Sequence, residues 1–284
     1  MNAKFGPAGN SESFTALGYK KSTDIPTYIK KFDLDAYEYQ CGHGLRVNEK
    51  TMRDFGALAK EANIALSLHA PYYISLSSVE EEKRLNSINY ILESAKVADF
   101  CGATKIIVHS GSCGKLSRET ALEYAKETLK NAQVALDENN LSHIHICPET
   151  MGKVNQLGDL YEVMELCKVE ERFIPCIDFG HLNARTFGGI KSQTDYENIL
   201  NTIENALGLD RLKIFHSHFS KIEYTDKGGE KRHLTFKDEV YGPLFEPLAE
   251  LIAKKSLTPT FICESAGTQA EDAAQMKKLY HSYK

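Results

Sequence analysis

A (β/α)8 barrel, an α/β fold in a single domain, is the architecture this sequence predicts, and three observations predict it. Short apolar runs alternate with longer amphipathic ones from end to end. Eight of the short runs fit into 284 residues, the count of such a barrel. The stretch "FGPAGNSES" after the first run does not fit the G-x-G-x-x-G turn that a doubly wound open sheet usually carries there. No Pro/Gly/Ser-rich linker divides the chain, so residues 1–284 are expected to form one barrel domain.

The expected strands, in order, are "KFGP" (4–7), "AYEYQ" (36–40), "IALSLHA" (64–70), "KIIVHS" (105–110), "HIHICPE" (143–149), "FIPCID" (173–178), "KIFHSHF" (213–219) and "TFICES" (260–265). Between them, apolar residues recur at three- and four-residue spacing. The longest such pattern, 79–102, carries Leu85, Ile88, Ile91, Leu92, Ala95 and Val97. Further helices are expected at 117–138, 157–168, 194–207, 243–254 and 269–282, with Pro243 opening the fourth of these in a first-turn position.

Composition narrows the function classes. Hydrophobic residues make up 42% and charged residues 26%, ordinary values for a soluble globular protein. The net charge of −5 argues against indiscriminate coating of nucleic acid but leaves room for a local basic rim. No apolar run is long enough to span a bilayer, and "MNAKFGPAGN" lacks the core of a signal peptide. The seven cysteines include no C-x-x-C pair, and several lie in apolar runs where a thiol behaves as a small hydrophobe. That usage points to a reducing, cytoplasmic location, and neither a membrane nor an obligate protein partner is expected.

In a barrel, chemistry gathers where the strands end at their C-terminal side. Read in order, strands three to eight there offer His69, His109, Glu149, Asp178, His216 and Glu264. His181 follows strand six and His233 follows strand seven. Any one of these fits a buried core histidine or a helix cap, and Asp178 before Gly180 is a fair cap. The set is harder to explain that way. Imidazoles and carboxylates are the ligands of Zn²⁺ and similar ions, and eight candidates exceed what one four-coordinate ion needs. Carboxylates bridge ions, so Glu149, Asp178 and Glu264 suit a cluster able to clamp a phosphoryl group.

The same residues resemble endonuclease IV, the zinc-dependent apurinic/apyrimidinic repair nucleases built on the xylose isomerase-like TIM barrel. "HAPYYISL" (69–76) is similar to that family's H-A-P-Y-L-I-N-L, "VHSGS" (108–112) to its H-P-G-S, and "PETMG" (148–152) to its E-N/T-T-A-G. "CIDFGH" (176–181) resembles C-x-D-T-x-H and "CESAG" (263–267) resembles E-T/S-P. The resemblance implies a first zinc on His69, His109 and Glu149, and a second on Glu149, Asp178, His216 and Glu264, with Glu149 bridging. His181 and His233 would serve a third. It implies cleavage of DNA 5′ to abasic sites, with Glu149 and Glu264 as catalytic acids and Zn²⁺ as the cofactor.

The chain departs from that pattern at strand seven, where H-L-N-D-S-K reads "HSHFSK" (216–221). The family's D-x-H pair is replaced by "GGEKRHL" (228–234), with Lys231 at the acid's place. Glu230 completes a third site if the loop shifts by one residue; otherwise Lys231 meets the phosphate. His218, on the same strand face as His216, is a candidate for support of the ligands.

Tyr72 and Tyr73 are candidates to wedge into a base stack, or else rim packing. Arg46 in "QCGHGLRV" is a candidate for the DNA backbone, and the stretch 221–237, with five Lys/Arg against three acids, reads as a basic flap or equally as a solvated loop. His143 and His145 lie near a strand start, far from the chemistry, and read as structural. Two other functions compete. One is a sugar isomerase or epimerase holding a single Mn²⁺ or Mg²⁺ on Glu149, Asp178, His216 and Glu264. The other is a barrel that binds a ligand or DNA without catalysis.

Overall fold

The computed structural model describes every residue except Met1, His43 and Arg46. The candidate Arg46 therefore lies outside the described residues. In chain order the elements are β1 (Lys4–Pro7), α1 (Glu12–Ala16), α2 (Ile25–Lys31), β2 (Ala36–Gln40), α3 (Glu49–Glu61), β3 (Ala65–His69), α4 (Glu81–Cys101), β4 (Lys105–His109), α5 (Arg118–Glu138) and β5 (His145–Glu149). Then come α6 (Leu160–Cys167), β6 (Cys176–Asp178), α7 (Phe179–Arg185), α8 (Gln193–Leu207), α9 (Leu209–Lys213) and β7 (His216–Phe219). The chain ends with the hairpin β8 (Ile222–Thr225) and β9 (Gly229–His233), α10 (Glu246–Lys254), β10 (Thr260–Cys263) and α11 (Gln269–Ser282).

Eight parallel strands follow the order β1-β10-β7-β6-β5-β4-β3-β2. The two ends meet through a parallel bridge between Ala8 and Glu38, where the Gly9 amide donates to the Glu38 carbonyl at 2.9 Å. The sheet thus closes on itself as a TIM barrel. Closure depends on a glycine: a Cβ on Gly6 would come within 1.9 Å of the Ala36 carbonyl oxygen. Packed rings fill the space between this seam and the last helices, with Phe5 stacked on Phe261 at 5.5 Å and edge-on to Phe245 at 6.2 Å.

Several expected boundaries shift. β7 begins at His216 rather than at residue 213, because residues 209–213 form α9. This places His216 at the strand's start and His218 nearer the open end, level with Asp178 on β6. The helix expected from 243 begins at Glu246, with Pro247 in its first turn and Pro243 outside it. The segment after Asp178 is a helix, α7, with the Asp178 side chain as its cap. The stretch 221–237 is a docked hairpin rather than a loose basic flap, and three of its cations are engaged. Lys231 and Arg232 pair with Glu223 at 2.5 and 2.6 Å, and Lys221 binds the carbonyls of Phe236 and Asp238.

Candidate metal centre

The barrel interior near its open end is polar. His69, Glu149, Asp178, His216 and His218 are all essentially sealed from solvent. Packing alone gives little reason for that, since buried charge is costly unless paired or bound to an ion. Strand alternation explains the placement: inward positions of successive strands deliver His69, Glu149, Asp178 and His218 to one level, with His216 two residues below His218 on the same strand face.

Three donor groups lie at this open end, each with its ligand atoms within 4.8 Å of one another. The first is His69, Glu149 and His218; the second is Glu149, Asp178, His218 and Glu264; the third is His181, Glu230 and His233. His109 stands beside the first, its Nε2 3.4 Å from Glu149 Oε2, the same distance as His69 Nε2. Glu149 belongs to two groups, as a bridging carboxylate would. A further group, Cys176 with His216 and His218, lies one layer deeper.

The imidazoles are set up to ligate. His69 Nδ1 donates to the Ala70 carbonyl at 2.8 Å and His181 Nδ1 to the Thr150 carbonyl at 2.9 Å. A carbonyl only accepts, so Nδ1 keeps its proton and Nε2, facing the cluster, is the nitrogen that would give up its proton to bind an ion. Asp178 divides its work between two oxygens. Oδ1 accepts from the His181 amide at 2.7 Å, capping α7, while Oδ2 has no hydrogen-bond partner. Glu149 Oε2 is likewise buried without one. Unsatisfied acceptors so deeply buried need a partner, and a cation supplies it. The residues present therefore fit divalent ions.

The acids and imidazoles of the cluster shift one another strongly. Burial works against ionisation of Glu149, but His218, His181 and His69 outweigh it and hold the carboxyl well below its usual range. Burial lifts Glu264 to about 8, with Asp178 and Glu149 adding to the effect. His109 is pushed down to about 3 by burial, so its lone pair stays available across ordinary pH. His181 and His218 are raised well above the usual histidine range, because neighbouring anions overcome burial.

The third group is built by the hairpin. Its strands pair Glu223 with Arg232 but Tyr224 with Glu230, leaving Lys231 as the extra residue of a bulge. An acid and a histidine three apart would face opposite sides of a regular strand; the bulge returns Glu230 and His233 to one side. Glu230 Oε2 lies 3.6 Å from His181 Nε2, and Oε1 lies 4.0 Å from His233 Nε2. Lys231 points outward, its side chain 53% exposed. The hairpin tip is tied to the loop after β5, with the Glu230 amide donating to Gly152 O at 3.1 Å and the Val154 amide to Gly228 O at 3.2 Å.

Of the other sequence candidates, His216 is buried one layer down, with Nε2 2.9 Å from Glu38 Oε2. His218, expected only to support the ligands, stands in the second donor group in the place expected of His216, because the strand starts later than the apolar pattern implied. The Tyr72 ring stacks on His109 at 5.3 Å and is half exposed. Tyr73 turns aside, edge-on to Tyr90 at 4.7 Å. His143 pairs with Asp99 at 3.0 Å and His145 with the Arg172 carbonyl at 2.7 Å, both away from the centre. Glu38 was missed altogether. It sits mid-strand rather than at a strand end, and its only signal is an acid at the inward position between Tyr37 and Tyr39.

A cavity of about 360 Å³ opens above the donors, lined also by Tyr72, Met151, Lys153 and Gln156. A neighbouring cleft of about 480 Å³ shares Tyr72, His233 and Glu264 with it and adds Gln40, Ser265 and Gln269. A larger hollow of about 650 Å³, around Lys4, Ala65 and Thr104 at the opposite end, holds none of the donor groups.

Known proteins share this plan. The chain is 34% identical over 280 residues to an uncharacterised protein of Methanocaldococcus jannaschii, covering 98% of this chain and 96% of that one. It is 30% identical over 226 residues to a probable endonuclease 4 of Mycoplasma pneumoniae, covering 75% and 73%. Among solved structures, endonuclease IV from Thermus thermophilus superposes with a TM-score of 0.65 at 17% identity, over 92% of this chain and 93% of that one. A D-tagatose 3-epimerase-like protein superposes at 0.69 and 19% identity, over 90% and 91%. These two likenesses show the fold alone. Residues 26–280 match the family described as xylose isomerase-like TIM barrel, and the chain, with its relatives named as endonuclease 4, belongs to that family.

Proposed function

We propose that the chain is a zinc-dependent phosphodiesterase that cleaves DNA 5′ to abasic sites, as a divergent endonuclease IV. The observation that carries this reading is the third donor group, His181, Glu230 and His233, standing beside the two groups that share Glu149. An isomerase using one ion needs only the set Glu149, Asp178, His218 and Glu264, and would leave five histidine and acid donors surplus.

Bound ions would supply positive charge for a phosphodiester and acidify the attacking water. Glu149 would be shared between ions, while His69 and His109 hold one side and Asp178, His218 and Glu264 the other. His181, Glu230 and His233 would hold the ion nearest the hairpin. Glu264, which burial chiefly lifts to about 8, would be drawn back to the carboxylate by a cation held beside it, as its place among the ligands requires. Tyr72 roofs the cavity and offers a ring face to the gap left by a missing base. Lys153, at the cavity wall, offers the positive charge for a flanking phosphate. The cytoplasm is the proposed location; among the described residues no helix is long and apolar enough to cross a membrane.

The test is cleavage of a duplex carrying one abasic site, before and after chelation and again after adding Zn²⁺. Cleavage 5′ to the lesion that chelation removes and zinc restores is the expected result. Epimerisation of ketohexoses with Mn²⁺, without cleavage, would favour the isomerase reading, to which the complete four-donor set gives some weight.

A further inference from the structure

We propose that Glu38 is a positioning residue of the metal centre, its buried carboxylate holding the His218 ring from below so that Nδ1 faces the donors above. This rests on the metal-centre reading given above. Glu38 lies on β2 with no exposed surface. Its neighbours Tyr37 and Tyr39 pack outward on Phe55, both at 6.0 Å, which leaves Glu38 pointing into the barrel. Oε2 accepts from Ser67 Oγ at 2.8 Å and from His216 Nε2 at 2.9 Å. Oε1 accepts from Gln40 Nε2 at 3.2 Å and lies 2.9 Å from His218 Nε2. That last contact is short but not aligned as a hydrogen bond, so charge rather than a formed bond joins the pair.

A carboxylate only accepts, so the imidazole nitrogen turned toward it is the one that carries the proton. On His218 each nitrogen faces one: Nε2 lies toward Glu38, while Nδ1 hydrogen-bonds to Glu149 Oε1 at 2.9 Å and lies 3.5 Å from Glu264 Oε1, inside the donor groups. A cation held on Nδ1 would displace the proton there and leave the ring's one proton on Nε2, toward Glu38. Glu38 itself belongs to none of those groups. An acid behind a ligating histidine fixes its tautomer and raises its basicity, and losing it typically costs about 10–100-fold in metal affinity. A buried carboxylate is expensive to keep, and the two histidines, with Ser67 and Gln40, compensate it. His216 is the second half of the device: clamped to the same acid, it keeps the carboxylate from rotating.

The experiment compares wild type, Glu38→Gln and Glu38→Asp, measuring Zn²⁺ affinity by chelator competition and the visible spectrum of the Co²⁺-loaded protein. Glu38→Gln is expected to bind one of its ions about 10–100-fold more weakly and to change the Co²⁺ spectrum, with far-UV circular dichroism unchanged. Glu38→Asp keeps the charge but falls short of the rings, and an intermediate loss is expected. If Glu38→Gln fails to fold, Glu38→Asp carries the test alone. Wild-type affinity and spectrum in the folded variants overturn the role of Glu38 while leaving the metal centre standing. A wild-type chain that takes up neither ion overturns both.

Discussion

Gly152 is the smallest side chain at the centre and among the most confined. A Cβ there would come within 2.6 Å of Glu230 Cβ, 2.8 Å of Glu230 Oε2 and 2.9 Å of His181 Cδ2. Gly152→Ala should therefore push Glu230 out of the third group and cost about one ion per chain, with the Glu149 groups still loaded. Elemental analysis of the purified variant checks it, and full loading would show that the crowding is relieved elsewhere. Glu149→Gln should act more broadly. An amide cannot bridge two cations, so both groups that share Glu149 should weaken and cleavage should be lost. Wild-type turnover with full loading would remove Glu149 from the centre. These residues differ in how plainly the sequence shows them. His69, His109, Glu149 and Glu264 end strands or follow them directly, so counting strand ends finds them. Asp178 reads equally well as cap or ligand because one carboxylate serves as both. Glu38 and His218 escape such counting, since one sits mid-strand and the other depends on where β7 begins.

At the scale of elements, the loop after β5 and the β8–β9 hairpin form one braced unit. Arg185 on α7 donates to the carbonyls of Met151, Lys153, Val154 and Gln156 at 2.8–3.2 Å. Arg118 on α5 binds Val154 and Gln156 as well, while pairing with Glu162 at 2.6 Å. The braced loop in turn holds the hairpin tip and Glu230. Arg185→Ala should loosen the loop and cost roughly 2 kcal/mol, since hydrogen bonds from charged groups contribute about 1.5–3 kcal/mol. The third ion should then be lost before the others, read as metal content against dialysis time. Simultaneous loss of all the ions would mean that the loop does not act on Glu230. Lys231→Ala, by contrast, removes only an outward pair with Glu223, and metal content and rate should both stay at wild-type levels. A clear fall in either would return Lys231 to the site. The hairpin was the least legible element, because a bulge is set by pairing between strands and leaves no periodicity in the strand itself.

Across the whole molecule, the centre and the core are separate achievements of the same barrel. Apolar side chains between strands and helices hold the closed sheet, while the inward positions near its open end carry the donors. The fold class was legible because alternating runs of two periods persist through the whole chain. The α9 turn was not, being too short to show a period. Removing metal should therefore leave far-UV circular dichroism intact yet lower the melting temperature. Ligand present at about 100 times its dissociation constant stabilises by about 2.7 kcal/mol. An unfolded apoprotein would mean that the donors, once their ions are gone, repel one another more strongly than the core can resist.

The count of ions is what separates this account from its competitors. The most direct test is the zinc content per chain, by mass spectrometry of the elements, after exhaustive dialysis of protein loaded with Zn²⁺. Three donor groups, two of them joined through Glu149 and His218, predict about two to three ions per chain. A single ion, unchanged by Glu230→Ala and lost on Glu149→Gln, would contradict the account and leave the one-metal barrel in its place.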